Sequence, residues 1–310
     1  MRTEFYEKLR GLLLTGESPT LESSLEPGHL GEERLRWSGG TLGALPEGRT
    51  FCQTLSAPAR LVICGGGHVA RCLAPAARAV GFQVTVLENR PEVLAEGKFG
   101  SDIDCRCGDF AENLQSGALG TNAFYAIMTR GHQDDWVCLK TALALPHGYV
   151  GMMGSRSKVA ATRKMLAEEG FDTGAIDSVH SPIGLKIGAE TPAEIAVSIV
   201  AELIRCRHTL GLEAPLTPTV IDALGEMPYA MVTLVNCEGS TPRSEGARML
   251  VFPDGSIAGT IGGGISEASA KRDALRALGE NAPMIGHYAL NSTGGAVCGG
   301  KVEYLIIPVQ

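Results

Sequence analysis

The stretch VICGGGHVA, Val62–Ala70, constrains the fold more than any other: an apolar β run meets three glycines and passes straight into helical spacing. Gly65, Gly67 and Ala70 read G-x-G-x-x-A, and the next apolar run, QVTVLE, closes on Glu88. Glycines at those positions permit a tight turn and close backbone approach to a phosphate. An acid about twenty residues on reaches a ribose 2′-hydroxyl. Strand, glycines, helix and acid stand in the order of a Rossmann-like unit, so Gly65, Gly67, His68 and Glu88 are candidate cofactor-binding residues. His68 either faces a ligand phosphate or serves the start of the helix.

From Arg60 onward the chain alternates between strand-like and helix-like segments. DCRCGD, AFYAIMT and YVGMMG read as further strands; PEVLAEGKF, DDWVCLKTALAL and SKVAATRKMLAEEG read as helices. Such alternation implies βαβ units and a doubly wound parallel sheet, whose ligands bind outside the carboxyl ends of the strands. Two strand exits are rich in polar groups, TRGHQDD and GSRSK. Arg130, His132 and Asp134 suit acid, base or anion contacts, although Asp134 and Asp135 equally suit the first turn of a helix. Arg156 and Lys158 fit a phosphate or a solvated face. Their convergence on one sheet edge marks a ligand site. TPAEIAVSIVAELIRCR then opens on a capping box, with Thr191 as cap, Pro192 first and Glu194 reaching back.

Around this unit, residues 1–57 read as an amphipathic helix followed by loops and short strands, and the acids Glu4 and Glu7 argue against a signal peptide. APLTPT, 214–219, reads as a proline-bearing linker. Residues 220–310 are β-rich with one helix. The expected fold is therefore α/β: a Rossmann-like doubly wound sheet over 58–213 plus a smaller, β-rich α+β domain over 220–310.

The chain has 310 residues, 44% hydrophobic and 20% charged, which suits two ordinary globular domains. A formal net charge of −7 leaves no basic excess for phosphates, so nucleic acid is not an expected partner. No apolar run approaches a membrane span, and a cytoplasmic location is expected. The 9 cysteines include no C-x-x-C pair, so neither a metal site nor an iron–sulfur cluster is expected.

Three glycine-marked segments punctuate the C-terminal domain: GSTPRSEGARML, GTIGGGISE and GGAVCGGKVE. Gly262, Gly263 and Gly264 precede a helix, yet the dinucleotide spacing fails, and a tight turn packing a helix on strands is the plain alternative. Arg243 and Arg248 support anion binding. Cys298, flanked by glycines, is the thiol that looks loop-borne.

These segments together resemble the XdhC/CoxI family of xanthine dehydrogenase accessory proteins. GSTPRSEGARMLVFPDGSIAGTIGGGISE and AVCGGKVE are similar to its CoxI-type domain. VICGGGHVA, TRGHQDD, YVGMMGSRSK and SPIGLKIGAETPAEIAVSIVAELI are similar to its Rossmann domain. The resemblance covers roughly residues 58–207 and 229–309, with the two domains in the reverse of the family's usual order. The N-terminal helix and TFCQTLSAPARLVI resemble the family's start and inter-domain crossing, which hints at a permuted arrangement. The resemblance implies an accessory protein rather than a stand-alone enzyme. Such a protein binds the molybdenum cofactor (molybdopterin), supports its sulfuration by a cysteine desulfurase and delivers it to a xanthine dehydrogenase-type molybdenum hydroxylase, with a homodimer among the expected assemblies. Gly262–Gly264, Arg243 and Cys298 carry over as site residues. The competing expectation is an NAD(P)-dependent oxidoreductase with His132 and Asp134 as its acid/base pair. A third is an adaptor whose glycine loops only turn the chain.

Overall fold

The computed structural model describes residues 2–116, 123–212, 214–241, 243–289 and 300–310. The chain opens with α1 (Arg2–Leu14) and four strands, β1 (Thr20–Ser24), β2 (Glu33–Trp37), β3 (Gly40–Leu42) and β4 (Thr50–Thr54). Next come β5 (Arg60–Cys64), α2 (His68–Ala79), β6 (Gln83–Glu88), α3 (Pro91–Gly97), β7 (Asp104–Cys107), α4 (Phe110–Gln115) and β8 (Ala123–Ile127). These are followed by α5 (His132–Ala144), β9 (His147–Met152), α6 (Arg156–Glu168), α7 (Thr173–Ser178) and α8 (Pro192–Thr209). The last stretch holds α9 (Pro218–Ala223), β10 (Tyr229–Glu238), β11 (Arg248–Val251), β12 (Ile257–Gly259), α10 (Gly264–Glu280), β13 (Met284–Ala289) and β14 (Lys301–Val309).

The elements fall into two compact units, Pro58–Glu213 and a discontinuous one made of Met1–Ala57 with Ala214–Gln310. In the continuous unit the expected parallel sheet forms in the order β7-β6-β5-β8-β9. That order reverses direction between β5 and β8, which opens a crevice at their carboxyl ends. Helices α2 and α8 bury Leu73, Ala77, Ile199 and Leu203 against one face, and α4 and α5 bury Leu114, Cys138 and Leu139 against the other. The capping box of α8 is present as read: Thr191 Oγ1 accepts from the Glu194 N–H (3.3 Å), and Glu194 accepts from the Thr191 N–H (2.9 Å).

A buried carboxylate ties α8 back to the sheet. Glu202 accepts from the Tyr149 hydroxyl (2.7 Å) and the Gly184 N–H (2.8 Å), and meets His180 Nδ1 at 3.1 Å. Burial works to raise its pKa, but the His180, Tyr149 and Gly184 hydrogen bonds outweigh it and hold the group at about 2. This network seats the segment SPIGLKIG between β9 and α8.

The discontinuous unit is built on the antiparallel sheet β12-β11-β10-β14-β13. Helix α10 covers one face through Ala270, Ala274 and Ala277, which meet Val232, Leu234 and Tyr304. On the other face Tyr229, Met231 and Leu250 pack with α1, α9 and the sheet β3-β2-β1-β4 in one core. Arg49 reaches across to Glu303 (2.7 Å), and Arg2 donates to the Pro308 carbonyl (2.8 Å). The stretch read as a linker, 214–219, is a linker only in part: Thr217 caps α9, and Leu216, Val220 and Ile221 are buried. A Thr-Pro pair is a sound helix start, and packing against α1 is what makes this one form. Among the described residues no helix is long and apolar enough to cross a membrane.

Two outcomes follow from this packing. Leu9 in α1 is fully buried in the core shared by both ends of the chain. Leu9→Ala should therefore cost about 2–5 kcal/mol and speed hydrogen exchange in residues 229–309 while leaving 58–212 unchanged. Glu202 has its folded-state pKa far below the ordinary carboxyl value, so its stabilisation is present above about pH 4.5 and is lost as pH falls toward 2. Urea midpoints measured between pH 7 and 2.5 should show that acid loss in the parent and a flatter profile in Glu202→Gln.

Candidate functional site

The carboxyl edge of the parallel sheet gathers the first set of candidate residues. Gly65 sits at φ +110°, and a Cβ there would lie 2.5 Å from the Met128 carbonyl oxygen and 2.9 Å from Thr129 Cα. Only glycine lets the loops after β5 and β8 meet so closely. Gly67 is different: a Cβ there would meet nothing within 4 Å, and α2 starts behind it with no side-chain cap. The helix N-terminus therefore presents bare N–H groups to open space. His68 is exposed at that position.

Glu88 stands at this loop, but it serves the protein's own backbone. Its Oε2 accepts from the Gly66 N–H (2.9 Å) and Arg90 Nη2 (2.9 Å). Its Oε1 accepts from the N–H groups of Asn89 (3.0 Å) and Arg90 (3.2 Å) and from Arg90 Nε (3.0 Å). Burial pushes the carboxyl upward, yet Arg90 and the Gly66 N–H outweigh it and leave the pKa below its usual range. Glu88 is a latch between β6 and the glycine loop.

After β8, Asp135 does comparable work. It is 1% exposed, and its Oδ1 accepts from the Thr129 N–H (3.0 Å) and hydroxyl (2.8 Å). Its other oxygen pairs with Lys158, which joins the first turns of α5 and α6. Lys158, which fitted a phosphate or a solvated face in the sequence, is thus committed to an internal ion pair. Asp134 accepts from Asn89 Nδ2 (3.3 Å) rather than from His132. That contact brings the β6 and β8 exits together, with Arg130 and His132 exposed beside them. Arg156 is the first residue of α6, following the cap Ser155.

The second set lies in the discontinuous unit. Strand β10 ends where β14 begins, with Glu238 opposite Lys301, and β12 runs parallel to β10 two strands away. The loop after β10, the GTIGGGISE loop after β12 and Gly300 before β14 therefore leave or enter the sheet at one end. A Cβ on Gly300 would lie 2.6 Å from the Ser240 carbonyl oxygen, so the approach to β14 packs on the loop carrying Arg243. A cleft of about 410 Å³ at this end is lined by Asn236, Glu238, His287, Tyr288, Lys301 and Glu303.

Gly262, Gly263 and Gly264 have φ values of +122°, +72° and +68°, a run that L side chains resist. The loop wraps a carboxylate from its own helix. Glu267 Oε2 accepts from the Thr260 hydroxyl (2.5 Å) and from the N–H groups of Ile261 and Gly263 (both 3.1 Å). Arg243 is exposed, whereas Arg248 is 3% exposed, donates to Gln53 and the Gly246 carbonyl, and has its pKa lowered to about 10 by burial. Arg248 is thus a core residue and not an anion contact. Cys298 lies outside the described residues.

Asp135, Arg90 and Glu267 escaped the sequence reading as site-forming residues. Each had a faint signal: two are first-turn acids, and Arg90 stands two residues after the expected acid.

A doubly wound unit with a glycine fingerprint, joined to an antiparallel unit whose glycine loop closes on a helix, defines the class of protein. The chain belongs to the XdhC and CoxI family: the XdhC Rossmann domain matches residues 61–203, and the XdhC and CoxI family domain matches 225–289. A probable xanthine dehydrogenase subunit of Bacillus subtilis is 30% identical over 230 residues, 67% of this chain and 66% of that protein. The uncharacterized protein YqeB of Escherichia coli K12 is 32% identical over 150 residues, 48% of this chain. The match spans 27% of YqeB's own length, so this chain corresponds to a part of it. Among solved structures, a xanthine dehydrogenase from Bacillus halodurans superposes with a TM-score of 0.56 at 27% identity, covering 66% of this chain and 64% of that one.

The Asp135–Lys158 pair supplies a test of the edge. Asp135→Ala strands a largely buried ammonium and frees two Thr129 donors, and should cost about 3–5 kcal/mol. The double change Asp135→Leu with Lys158→Met should cost clearly less in the same denaturant titration.

Proposed function

We propose that the chain is an accessory protein of a xanthine dehydrogenase-type molybdenum hydroxylase. In this reading it holds the molybdenum cofactor while a cysteine desulfurase supplies the terminal sulfido ligand, then hands it on. What supports it is that the loop carrying Arg243, the Gly262–Gly264 loop and Gly300 all meet one end of the antiparallel sheet, with Arg243 exposed there. Backbone N–H groups and a guanidinium suit the phosphate of a pterin cofactor. Xanthine dehydrogenase in the names of two relatives supports the partner, and Cys298 is the thiol proposed to face the sulfur chemistry.

A second ligand is favoured by one specific feature of the Rossmann unit. The uncapped start of α2 beside the open Gly67 fits the diphosphate of a nucleotide such as NAD(P). His132 and Asp134 are proposed to line that site rather than to act as a hydrogen-bonded acid/base pair.

Incubation of the purified chain with molybdenum cofactor under anaerobic conditions, then gel filtration and pterin fluorescence, tests the main reading. The parent should retain cofactor; Arg243→Ala should lower retention by about tenfold, the loss of one charge-assisted contact, and Cys298→Ala should lower it as well. Failure of the parent to retain any cofactor would overturn the proposal.

A further inference from the structure

The end of β6 carries a specificity element that the glycine fingerprint does not reveal. In a Rossmann unit an acid at this position accepts from the ribose 2′-hydroxyl, whereas an arginine suits a ribose that bears a phosphate. Glu88 is 1% exposed and already meets five donors: three backbone N–H groups, of Gly66, Asn89 and Arg90, and two guanidinium nitrogens of Arg90. No acceptor capacity of that carboxylate is left for a ligand hydroxyl. Asn89, the next residue, gives one of its two amide N–H groups to Asp134 and carries no charge for a phosphate.

The cation at this strand end that can face a ligand is Arg90. Its side chain is 30% exposed, anchored to Glu88 through Nε and Nη2, with Nη1 making no hydrogen bond among the described residues. The anchoring holds the guanidinium plane at the strand end, so little side-chain freedom remains to be lost on binding. Resting on the nucleotide reading above, we infer that the Rossmann unit selects a nucleotide whose ribose carries a phosphate, NADP in preference to NAD, with Arg90 as the specificity-determining residue. The opposing force is the neighbouring negative charge of Glu88, Glu92 and Asp134, all of which act on the guanidinium. If those acids cancel its charge at the ligand, the preference vanishes.

Calorimetry on the full chain with NADP⁺ and NAD⁺ as separate titrants decides the matter. NADP⁺ should bind at least about tenfold more tightly, the difference expected of one charge-assisted phosphate contact. Arg90→Gln should erase the difference and Arg90→Lys should restore part of it, with thermal melting checked for both because Arg90 also holds Glu88. The comparison of the two nucleotides on the parent protein needs no variant. Equal or tighter binding of NAD⁺ overturns the role of Arg90 and leaves the nucleotide reading standing, as does a preference that survives in a folded Arg90→Gln. Binding of neither nucleotide overturns both.

Discussion

Two glycine loops among the described residues, one in each unit, close on a glutamate, and the candidate sites depend on those two contacts. Backbone N–H groups freed by a glycine turn need acceptors, and leaving them buried and unmet is costly. Glu88 answers the Gly66 N–H from the neighbouring strand, and Glu267 answers Ile261 and Gly263 from the helix that follows. In both cases an internal carboxylate fixes the turn and leaves space beside it: a Cβ at Gly67 in one unit, or at Gly263 or Gly264 in the other, would meet nothing within 4 Å. The loops are preorganised by anions that belong to the protein, so a ligand meets a shaped backbone rather than one it must order.

Asp135 extends the same device to the third loop of the parallel sheet. Its contact with Thr129 sets the backbone that passes within van der Waals reach of Gly65, and its pairing with Lys158 anchors α6. Four exits of the sheet, after β5, β6, β8 and β9, are thus held by two sunken carboxylates. The exposed residues Arg130, His132 and His68 stand on this frame without helping to build it.

Much of the parallel unit was legible in the sequence, because glycine spacing, strand alternation and the Thr191 capping box are local signals. The antiparallel sheet of residues 20–54 was not. Its strands are short, and what orders them is a core contributed by the far end of the chain, as Leu21 and Leu35 meeting Tyr229 and Val309 make plain. Asp135 reads as an ordinary first-turn acid, and Glu267 carries no other signal, since sequence does not tell an acid facing the helix dipole from one turned into a loop. Glu88 stands where the spacing located an acid, but Arg90, two residues later, turns it from a ligand contact into a structural latch.

The contact between Arg2 and Pro308 has a consequence in time. The opening helix cannot complete its core until the last strand exists, and the whole of residues 58–213 lies between. A ribosome therefore releases a parallel unit able to form from its own contacts while residues 1–57 still wait. Loop-closure entropy rises only slowly with length, so the late joining of the two ends is tolerable at equilibrium. The exposure falls on the waiting segment, whose Leu9, Leu12 and Leu13 lack the part of their core that residues 216–309 supply throughout the synthesis of the Rossmann unit.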